Sequence, residues 1–261
     1  MPLKLFDTHV HLTDQLFDTD RAFIINDLSK EGVMHVLNMG TDLEDSKASI
    51  KLANERSMIY AAVGIHPHVA SEVPSGYLDK LKDLALESNK VLAIGEIGLD
   101  YHYELSPKED QRKVFIEQLE LAKSLSLPVA IHSRDATQDT IDILKEHSNG
   151  LKRSIIHCFS GSKETAKIYL DMGFYISFAG AVTFKNAVNL QEAAKFVPVE
   201  QMLIETDCPY LAPTPMRGHR NEPKFVGYIA DTICNLKGLP FEDFCDTVYK
   251  NSFDVLGLKE E

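Results

Sequence analysis

Short apolar runs of strand length recur along the chain, and a helical pattern follows each of them. The runs are LKLFDTHV, HVLNMG, MIYAAVGI, KVLAIGEI, PVAIHS, SIIHCFS, FYISFAG and QMLIETD. Strands that alternate with helices form parallel sheets, because each helix returns the chain across the sheet in a right-handed crossover. Eight such units in 261 residues match the size of one α/β TIM barrel, a (β/α)8 fold, so we predict a single domain over residues 1–261.

A doubly wound open sheet is the competing architecture. Sheets of that kind usually carry a glycine-rich phosphate-binding turn after their first strand. The corresponding residues here, HVHLTDQLFD, contain no glycine. The barrel is therefore favoured over the open sheet.

The segments between the apolar runs carry helix start signals. In SPKEDQRKVFIEQLELAKSLS, Ser106 is predicted to be the N-cap and Pro107 the first helical residue. Val114, Leu121 and Leu125 then form an apolar stripe with helical spacing. This segment is predicted to be the helix that follows the fourth strand.

Composition and charge restrict the class of protein. No apolar run approaches the length of a membrane span, and no secretion signal is evident, so we expect a cytoplasmic protein with no membrane partner. The net charge of −12 argues against a long basic track for duplex DNA, but it permits a small site that holds a few phosphates. Cys158 and Cys208 each adjoin a titratable residue, and strand alternation predicts that both thiols face away from it, toward the helices.

Titratable side chains stand at the carboxyl ends of the predicted strands, where TIM barrels place their catalytic groups. Asp7, His9 and His11 alternate along the first strand and are predicted to share one face. The other strand-end residues are His66, Glu96, His132, His157 and Asp207. A structural barrel would fill this region with apolar residues, whereas imidazoles and carboxylates together are ligands for divalent cations.

The number of candidate ligands predicts two cations rather than one. A catalytic ion of the zinc type usually takes three protein ligands and keeps one open position. Six of these residues are candidate ligands: His9, His11, Glu96, His132, His157 and Asp207. Six ligands that include a carboxylate able to bridge suit a pair of ions. Glu96 is the predicted bridging residue, since it lies midway in the strand order.

The strand-end residues belong to longer motifs, which run in order over almost the whole chain. The motifs are DTHVHL at 7–12, GIHPH at 64–68, GEIGLDY at 95–101, IHSRDA at 131–136, HCFSG at 157–161, ETDCPYLAP at 205–213 and RGHRNEP at 217–223. Together they resemble the TatD family of metal-dependent hydrolases, within the wider amidohydrolase-like barrels. The resemblance implies the metal ligands His9, His11, Glu96, His132, His157 and Asp207.

The resemblance also implies a function. It suggests a divalent-metal-dependent deoxyribonuclease that removes nucleotides from 3′ ends, with single-stranded DNA as its substrate. A D-aminoacyl-tRNA deacylase, with tRNA as the partner, and a small-molecule ester or amide hydrolase would use the same metals. A non-catalytic binding protein is a lesser alternative. The sequence leaves open whether the ions are Mg, Mn, Zn or Ni, and it does not indicate the oligomeric state.

Further residues are predicted to serve catalysis and phosphate binding. Asp207 is the predicted general base, and Glu96 acts with it by bridging the ions. Asp7 and Glu205 are predicted to accept hydrogen bonds beside the ligands rather than to bind metal. The predicted substrate contacts, several of them in the proline-rich loop 208–223, are His66, Arg134, Tyr210, Arg217 and Arg220.

Overall fold

Eight parallel strands follow one another around a single sheet in the order of the sequence. The structure is a computed structural model that describes residues 3–259. The strands are β1 (Leu5–Val10), β2 (Val33–Met39), β3 (Ile59–Val63), β4 (Val91–Asp100), β5 (Val129–Arg134), β6 (Ile155–Ile156), β7 (Tyr175–Phe178) and β8 (Met202–Ile204). Each pairs in parallel with the next, from β1 with β2 through β7 with β8.

Helices connect the strands and surround the sheet. They are α1 (Arg21–Asp27), α2 (Leu43–Glu55), α3 (Tyr77–Glu87), α4 (Lys108–Leu125), α5 (Thr137–His147), α6 (Lys163–Asp171), α7 (Val188–Phe196), α8 (Val226–Lys237) and α9 (Phe241–Leu256). None of the helices within residues 3–259 is long and apolar enough to cross a membrane. The alternation of strand and helix confirms the predicted (β/α)8 barrel.

The ends of β1 and β8 meet and bring the sheet to near closure. Val10 forms a parallel bridge with Cys208. The backbone N–H of Asp207 donates to the carbonyl of His9 at 3.0 Å, and that of His11 donates to the carbonyl of Cys208 at 2.8 Å. This closure brings the first and last predicted ligand segments together, although they lie about 200 residues apart in the chain.

An apolar cluster fills the barrel at the end where the strands begin. Every strand contributes to it, and the barrel interior is the place where all eight can meet. Helix α9 packs its own side chains into the cluster and so closes this end. The buried members are Phe6, Leu37, Met39, Ala62, Ala93, Ala130, Ile155, Tyr175, Leu203, Phe253, Val255 and Leu256.

A second and larger cluster lies between the barrel and its helices. Leu5, Val36, Ala61 and Ile94 are strand residues in it, and all are almost fully buried. Each such burial stabilises the fold by about 1.5–3 kcal/mol for a side chain the size of valine or leucine. Apolar residues thus occupy both the barrel interior near the strand starts and the layer between the strands and the helices. The polar side chains lie at the carboxyl ends of the strands.

The start of α4 differs from the prediction. The helix begins at Lys108, Pro107 occupies the cap position, and Ser106 makes no cap hydrogen bond to it. Instead, the Ser106 hydroxyl donates to the carbonyl of His68 at 2.9 Å and accepts the backbone N–H of Ser71 at 3.0 Å. Ser106 therefore secures the turn after β3, which carries two of the site histidines.

Gly98 fixes how closely β4 approaches β5, and we predict that Gly98→Ala destabilises the protein. Gly98 pairs with His132, its φ is +144°, and an added Cβ would lie 2.0 Å from the carbonyl oxygen of His132. Overpacking of this kind costs about 1–3 kcal/mol, and the backbone conformation adds to it. Urea denaturation of the variant should show a loss of about 2 kcal/mol or more in the free energy of unfolding.

Gly150→Ala is the matched control for that measurement. Gly150 also has a positive φ, +88°, but an added Cβ would meet nothing within 4 Å. Gly150→Ala should therefore lower the free energy of unfolding by only ~1 kcal/mol, the cost of the backbone conformation alone. Equal losses in both variants would contradict the role given to the contact between Gly98 and His132.

Candidate metal centre

The polar strand ends surround a single cavity of about 690 Å³ at the carboxyl end of the barrel. Five of the predicted ligands line this cavity, and His9 lies beneath them as a fully buried side chain. The ligands that line it are His11, Glu96, His132, His157 and Asp207. The structure thus brings all six predicted ligands to one place, which we call the candidate centre.

One oxygen of Glu96 faces the histidines of β1. Glu96 Oε2 lies 3.3 Å from His9 Nε2 and 3.5 Å from His11 Nε2. Asp207 Oδ1 completes this group, at 3.8 Å from His9 Nε2 and 3.4 Å from His11 Nε2. These four side chains form the first ligand group.

The other oxygen of Glu96 faces His132 on β5 and His157, which directly follows β6. Glu96 Oε1 lies 2.8 Å from His132 Nδ1 and 3.2 Å from His157 Nε2. His66 Nε2 is also near, at 3.6 Å from the same oxygen. Glu96, His132 and His157 form the second ligand group, with His66 beside it.

The donor atoms of the first group fit a cation better than they fit one another. His9 Nε2 and His11 Nε2 are 3.2 Å apart, and two neutral rings can share only one hydrogen at that contact. Nδ1 of His9 is buried and has no hydrogen-bond partner within residues 3–259. Such a buried imidazole needs strong compensation at its other nitrogen, and a divalent cation held by His9, His11 and the two carboxylates would provide it.

Burial and neighbouring charges shift the pKa values of these groups in different directions. Burial alone would raise the pKa of Glu96, but His157, His66 and His9 hold that pKa well below its ordinary value. Burial lowers the pKa of His9. Burial also opposes the charged form of His157, yet the carboxylates of Glu205 and Glu96 raise its pKa well above the ordinary value. The centre therefore combines an ionised Glu96 with imidazoles of two kinds: His9 favours its neutral form, and His157 favours its protonated form.

Glu205 orients His157, as predicted for a residue beside the ligands. It is fully buried, and its Oε1 lies 2.7 Å from His157 Nδ1 and accepts the backbone N–H of Cys158 at 2.7 Å. Its Oε2 accepts the Ser177 hydroxyl at 2.6 Å. With Nδ1 held in this way, Nε2 of His157 is directed at Glu96.

Asp7 supports the segment that follows β8 rather than a ligand ring. Its carboxylate accepts the backbone N–H and the hydroxyl of Thr206, at 2.9 and 2.6 Å. The register of β1 against β2 is interrupted between Asp7 and Val10, so simple alternation along this strand, which predicted one shared face, does not hold. Asp7 thereby fixes the segment that carries Asp207.

The prediction for Cys158 was wrong. Its Sγ and donor atoms of His157 and Asp207 all lie within 4.8 Å of one another, so the thiol faces the candidate centre rather than the helices. The backbone of Cys158 has a φ of +44°, which ends the alternation of β6. Cys208, by contrast, is fully buried.

The predicted substrate contacts divide into two sets. His66, Arg134 and Tyr210 line the cavity, whereas Arg217 and Arg220 are not among its lining residues. The Arg217 guanidinium packs 4.0 Å from the centre of the Phe184 ring.

The second of these two arginines is held by carboxylates. Arg220 donates to both oxygens of Asp20, at 2.9 and 2.6 Å, and to the carbonyl of Leu16 at 2.7 Å. Arg220 therefore secures the loop 208–223 against the segment that follows β1.

Asp100 lines the cavity but was missed from the sequence. Asp100 ends β4, is 1% exposed, and lies 3.1 Å from His132 Nε2 and 3.0 Å from His68 Nε2. Tyr103 lies beneath Arg134, whose guanidinium is 4.7 Å from the ring centre. The spacing of Asp100 four residues after Glu96 on one strand was a signal that could have identified it.

Comparison with known proteins identifies the family of this chain. The family model described as TatD related DNase matches residues 6–257. The chain is 44% identical over 248 residues to YabD of Bacillus subtilis (strain 168), described as an uncharacterized metal-dependent hydrolase, covering 95% of this chain and 97% of that protein. It is 35% identical over 260 residues to the 3′-5′ ssDNA/RNA exonuclease TatD of Pantoea ananatis, covering 97% and 100%.

A solved structure shows the same fold over the full length. The crystal structure of YJJV, a TatD homolog from Escherichia coli K12, superposes with a TM-score of 0.93 at 28% identity, covering 99% of this chain and 100% of that one. The family match spans both the barrel and every strand-end residue described above. This chain is therefore a member of the TatD-related DNase family of metal-dependent hydrolases.

Proposed function

We propose that this protein is a divalent-metal-dependent 3′–5′ exonuclease that cleaves phosphodiester bonds in single-stranded nucleic acid, with DNA as the main substrate. The observation that carries the proposal is the position of Glu96. Its two oxygens face two separate sets of histidines, at 3.3 and 3.5 Å on one side and 2.8 and 3.2 Å on the other. A carboxylate placed in this way suits a pair of cations, the arrangement that phosphodiester hydrolysis commonly uses.

The two ligand groups would each hold one cation. His9, His11 and Asp207 would bind one with Glu96 Oε2, and His132 and His157 the other with Glu96 Oε1. Such a mixed set of imidazoles and carboxylates suits Zn, Mn or Ni, and Mg, which prefers oxygen ligands, is the alternative ion for turnover. When bound, the cations supply Lewis acidity that makes water a nucleophile near neutral pH and neutralises charge on the phosphate.

Residues of the chain would handle the proton and the substrate. Asp207 has a pKa below its ordinary value, because hydrogen bonding to His11 and the nearby histidines outweigh the effect of burial. It stays ionised and can accept the proton of the attacking water. His66 and Arg134 line the cavity, where they can donate to phosphate oxygens, and half-exposed Tyr210 offers a face on which a base can stack.

The cavity favours the end of one strand over a duplex. Its volume, about 690 Å³, is that of a small-ligand pocket. The acidic charge of the protein, −12 overall, also disfavours a long backbone track. A relative with full-length coverage bears the name of a single-strand exonuclease, which supports the same substrate class.

Metal content should separate the two ligand groups. Wild-type protein that has been stripped, reloaded with Mn²⁺ or Zn²⁺ and desalted should retain about two ions per chain. His11→Ala and His132→Ala should each retain about one, because each removes a ligand from one group only. Elemental analysis by mass spectrometry measures this content.

His147→Ala is the control for metal content, since His147 lies on α5 and pairs with Glu120 at 3.1 Å. It should retain both ions. A wild-type protein with one ion that both ligand variants lose would contradict the two-cation proposal. Unchanged content in His11→Ala would remove that residue from the ligand set.

Metal-dependent cleavage should proceed from the 3′ end of single strands. Stripped protein restored with single ions should release mononucleotides from 3′-labelled single-stranded DNA, should act more slowly on RNA, and should leave blunt duplex intact. Gel and chromatographic analysis of the products measures the direction of cleavage. Deacylation of D-aminoacyl-tRNA without any DNA degradation would instead establish the deacylase, and inactivity on every substrate despite bound metal would favour a binding protein.

Arg134→Ala should weaken substrate binding more than Arg217→Ala. Arg134 lines the cavity and Arg217 does not, and a charge-assisted hydrogen bond contributes about 1.5–3 kcal/mol. Arg134→Ala should therefore raise KM for single-stranded DNA by about 10-fold or more. Steady-state kinetics at saturating metal test this, and an equal rise in Arg217→Ala would return that residue to the substrate site.

A further inference from the structure

We propose that Asp100 is a positioning residue, which fixes the orientation of His132 as a ligand and links it to the loop that carries Tyr103. The proposal rests on the assignment of His132 to the second ligand group under the proposed function. Asp100 is 1% exposed. Its Oδ2 lies 3.1 Å from His132 Nε2 and 3.0 Å from His68 Nε2.

Both nitrogens of His132 face carboxylates. Nδ1 is 2.8 Å from Glu96 Oε1, and Nε2 is 3.1 Å from Asp100 Oδ2. A neutral imidazole has one N–H and one lone pair, and only the nitrogen without hydrogen can bind a cation. The other atoms of the second ligand group lie on the Nδ1 side, where His157 Nε2 is also 3.2 Å from Glu96 Oε1. The hydrogen therefore belongs on Nε2, where Asp100 accepts it.

The Asp100 carboxylate is held rigidly enough to impose this choice. Its Oδ1 accepts the backbone N–H groups of His102 and Tyr103, at 3.0 and 2.9 Å. Its backbone N–H donates to Gln111 Oε1 at 2.8 Å, and its carbonyl accepts Gln111 Nε2 at 3.0 Å. Gln111 is fully buried on α4, so the end of β4 is fixed to a helix of the barrel.

The same carboxylate connects the ligand to the cavity wall. Oδ2 contacts His132, and Oδ1 holds the backbone of Tyr103, the residue over which Arg134 packs. Arg134 is also the register partner of Asp100 between β4 and β5. A substitution of Asp100 should therefore affect both the second ligand group and Arg134, the proposed phosphate contact.

The test uses zinc-loaded, ¹⁵N-labelled protein. In the wild type, long-range ¹H–¹⁵N correlation of the imidazole signals should place the hydrogen of His132 on Nε2 and identify Nδ1 as the ligand. This measurement needs no variant. A hydrogen on Nδ1 would overturn the proposal.

Asp100→Asn changes the chemistry at one oxygen with little change in size. The amide oxygen can still accept the two backbone N–H groups, while the amide NH₂ faces His132 and donates where Oδ2 accepted. This favours the ring form with hydrogen on Nδ1. Calorimetric titration with Zn²⁺ should show an affinity for the second ion about 10–100-fold weaker, and an unchanged affinity for the first ion shows that the variant is folded.

Asp135→Asn and His132→Ala are the controls. Asp135 is an exposed carboxylate 3.0 Å from His102 Nδ1, so the same substitution there should leave both affinities unchanged. If Asp100→Asn keeps the second affinity within twofold while His132→Ala loses it, the role of Asp100 is overturned and the metal centre stands. If His132→Ala keeps both ions, the ligand assignment fails and the role of Asp100 fails with it.

A His68 variant distinguishes a positioning role of Asp100 from a role as a metal ligand, because His68 also contacts Asp100 Oδ2. His68→Ala should retain two ions, since among the described residues the carboxylate that His68 Nε2 contacts is that of Asp100, which is not a proposed ligand. A wild-type protein with a third ion, lost in both Asp100→Asn and His68→Ala, would overturn the positioning role and make Asp100 a ligand.

Discussion

The carboxylate of Glu96 is the interaction on which the arrangement of this barrel depends. Glu96 is 3% exposed and carries a charge into the barrel interior, where an uncompensated ion is very costly. Five imidazole nitrogens lie within 3.6 Å of it, each from a different histidine. Those histidines come from four strand ends, so all four must converge for the charge to be tolerated. The apolar cluster that α9 closes at the opposite end of the barrel stabilises the fold and so offsets the free-energy cost of this convergence.

Closure of the barrel between β1 and β8 is the second requirement, because it places Asp207 beside His9 and His11. Asp7 reinforces the closure through Thr206, and Arg220 secures the following loop through Asp20. Neither residue needs to touch substrate to matter for the site. In the sequence alone, Asp7 resembles a metal ligand and Arg220 resembles a phosphate contact. In the structure, both hold the segments that carry the candidate ligands, and only their contacts in space show this role.

The sequence was most informative where a simple period applies. Eight strand-length runs and the histidines that end them predicted the barrel and the convergence of His132 and His157, because strand ends in a parallel barrel share one rim. Prediction failed where the backbone leaves that period. A positive φ turns Cys158 toward the candidate centre, and an interrupted register separates Asp7 from its expected face. The partners of Ser106 and Arg220 lie on other segments, which no local pattern can specify.

The origin of each group also separates chemistry from recognition. The six candidate ligands lie on the strands or within three residues of their carboxyl ends, which the barrel fixes by backbone pairing and packing. Tyr103 and Tyr210 instead belong to the loops after β4 and β8. Loops of a barrel can change without disturbing the strands beneath them. Cleavage of a phosphodiester and hydrolysis of another ester therefore need not differ at Glu96 or its histidines. The choice between them is expected to reside in the cavity walls. Asp100 contacts both the candidate ligand His132 and the backbone of Tyr103 in the wall, so our proposal places the coupling of the two at Asp100.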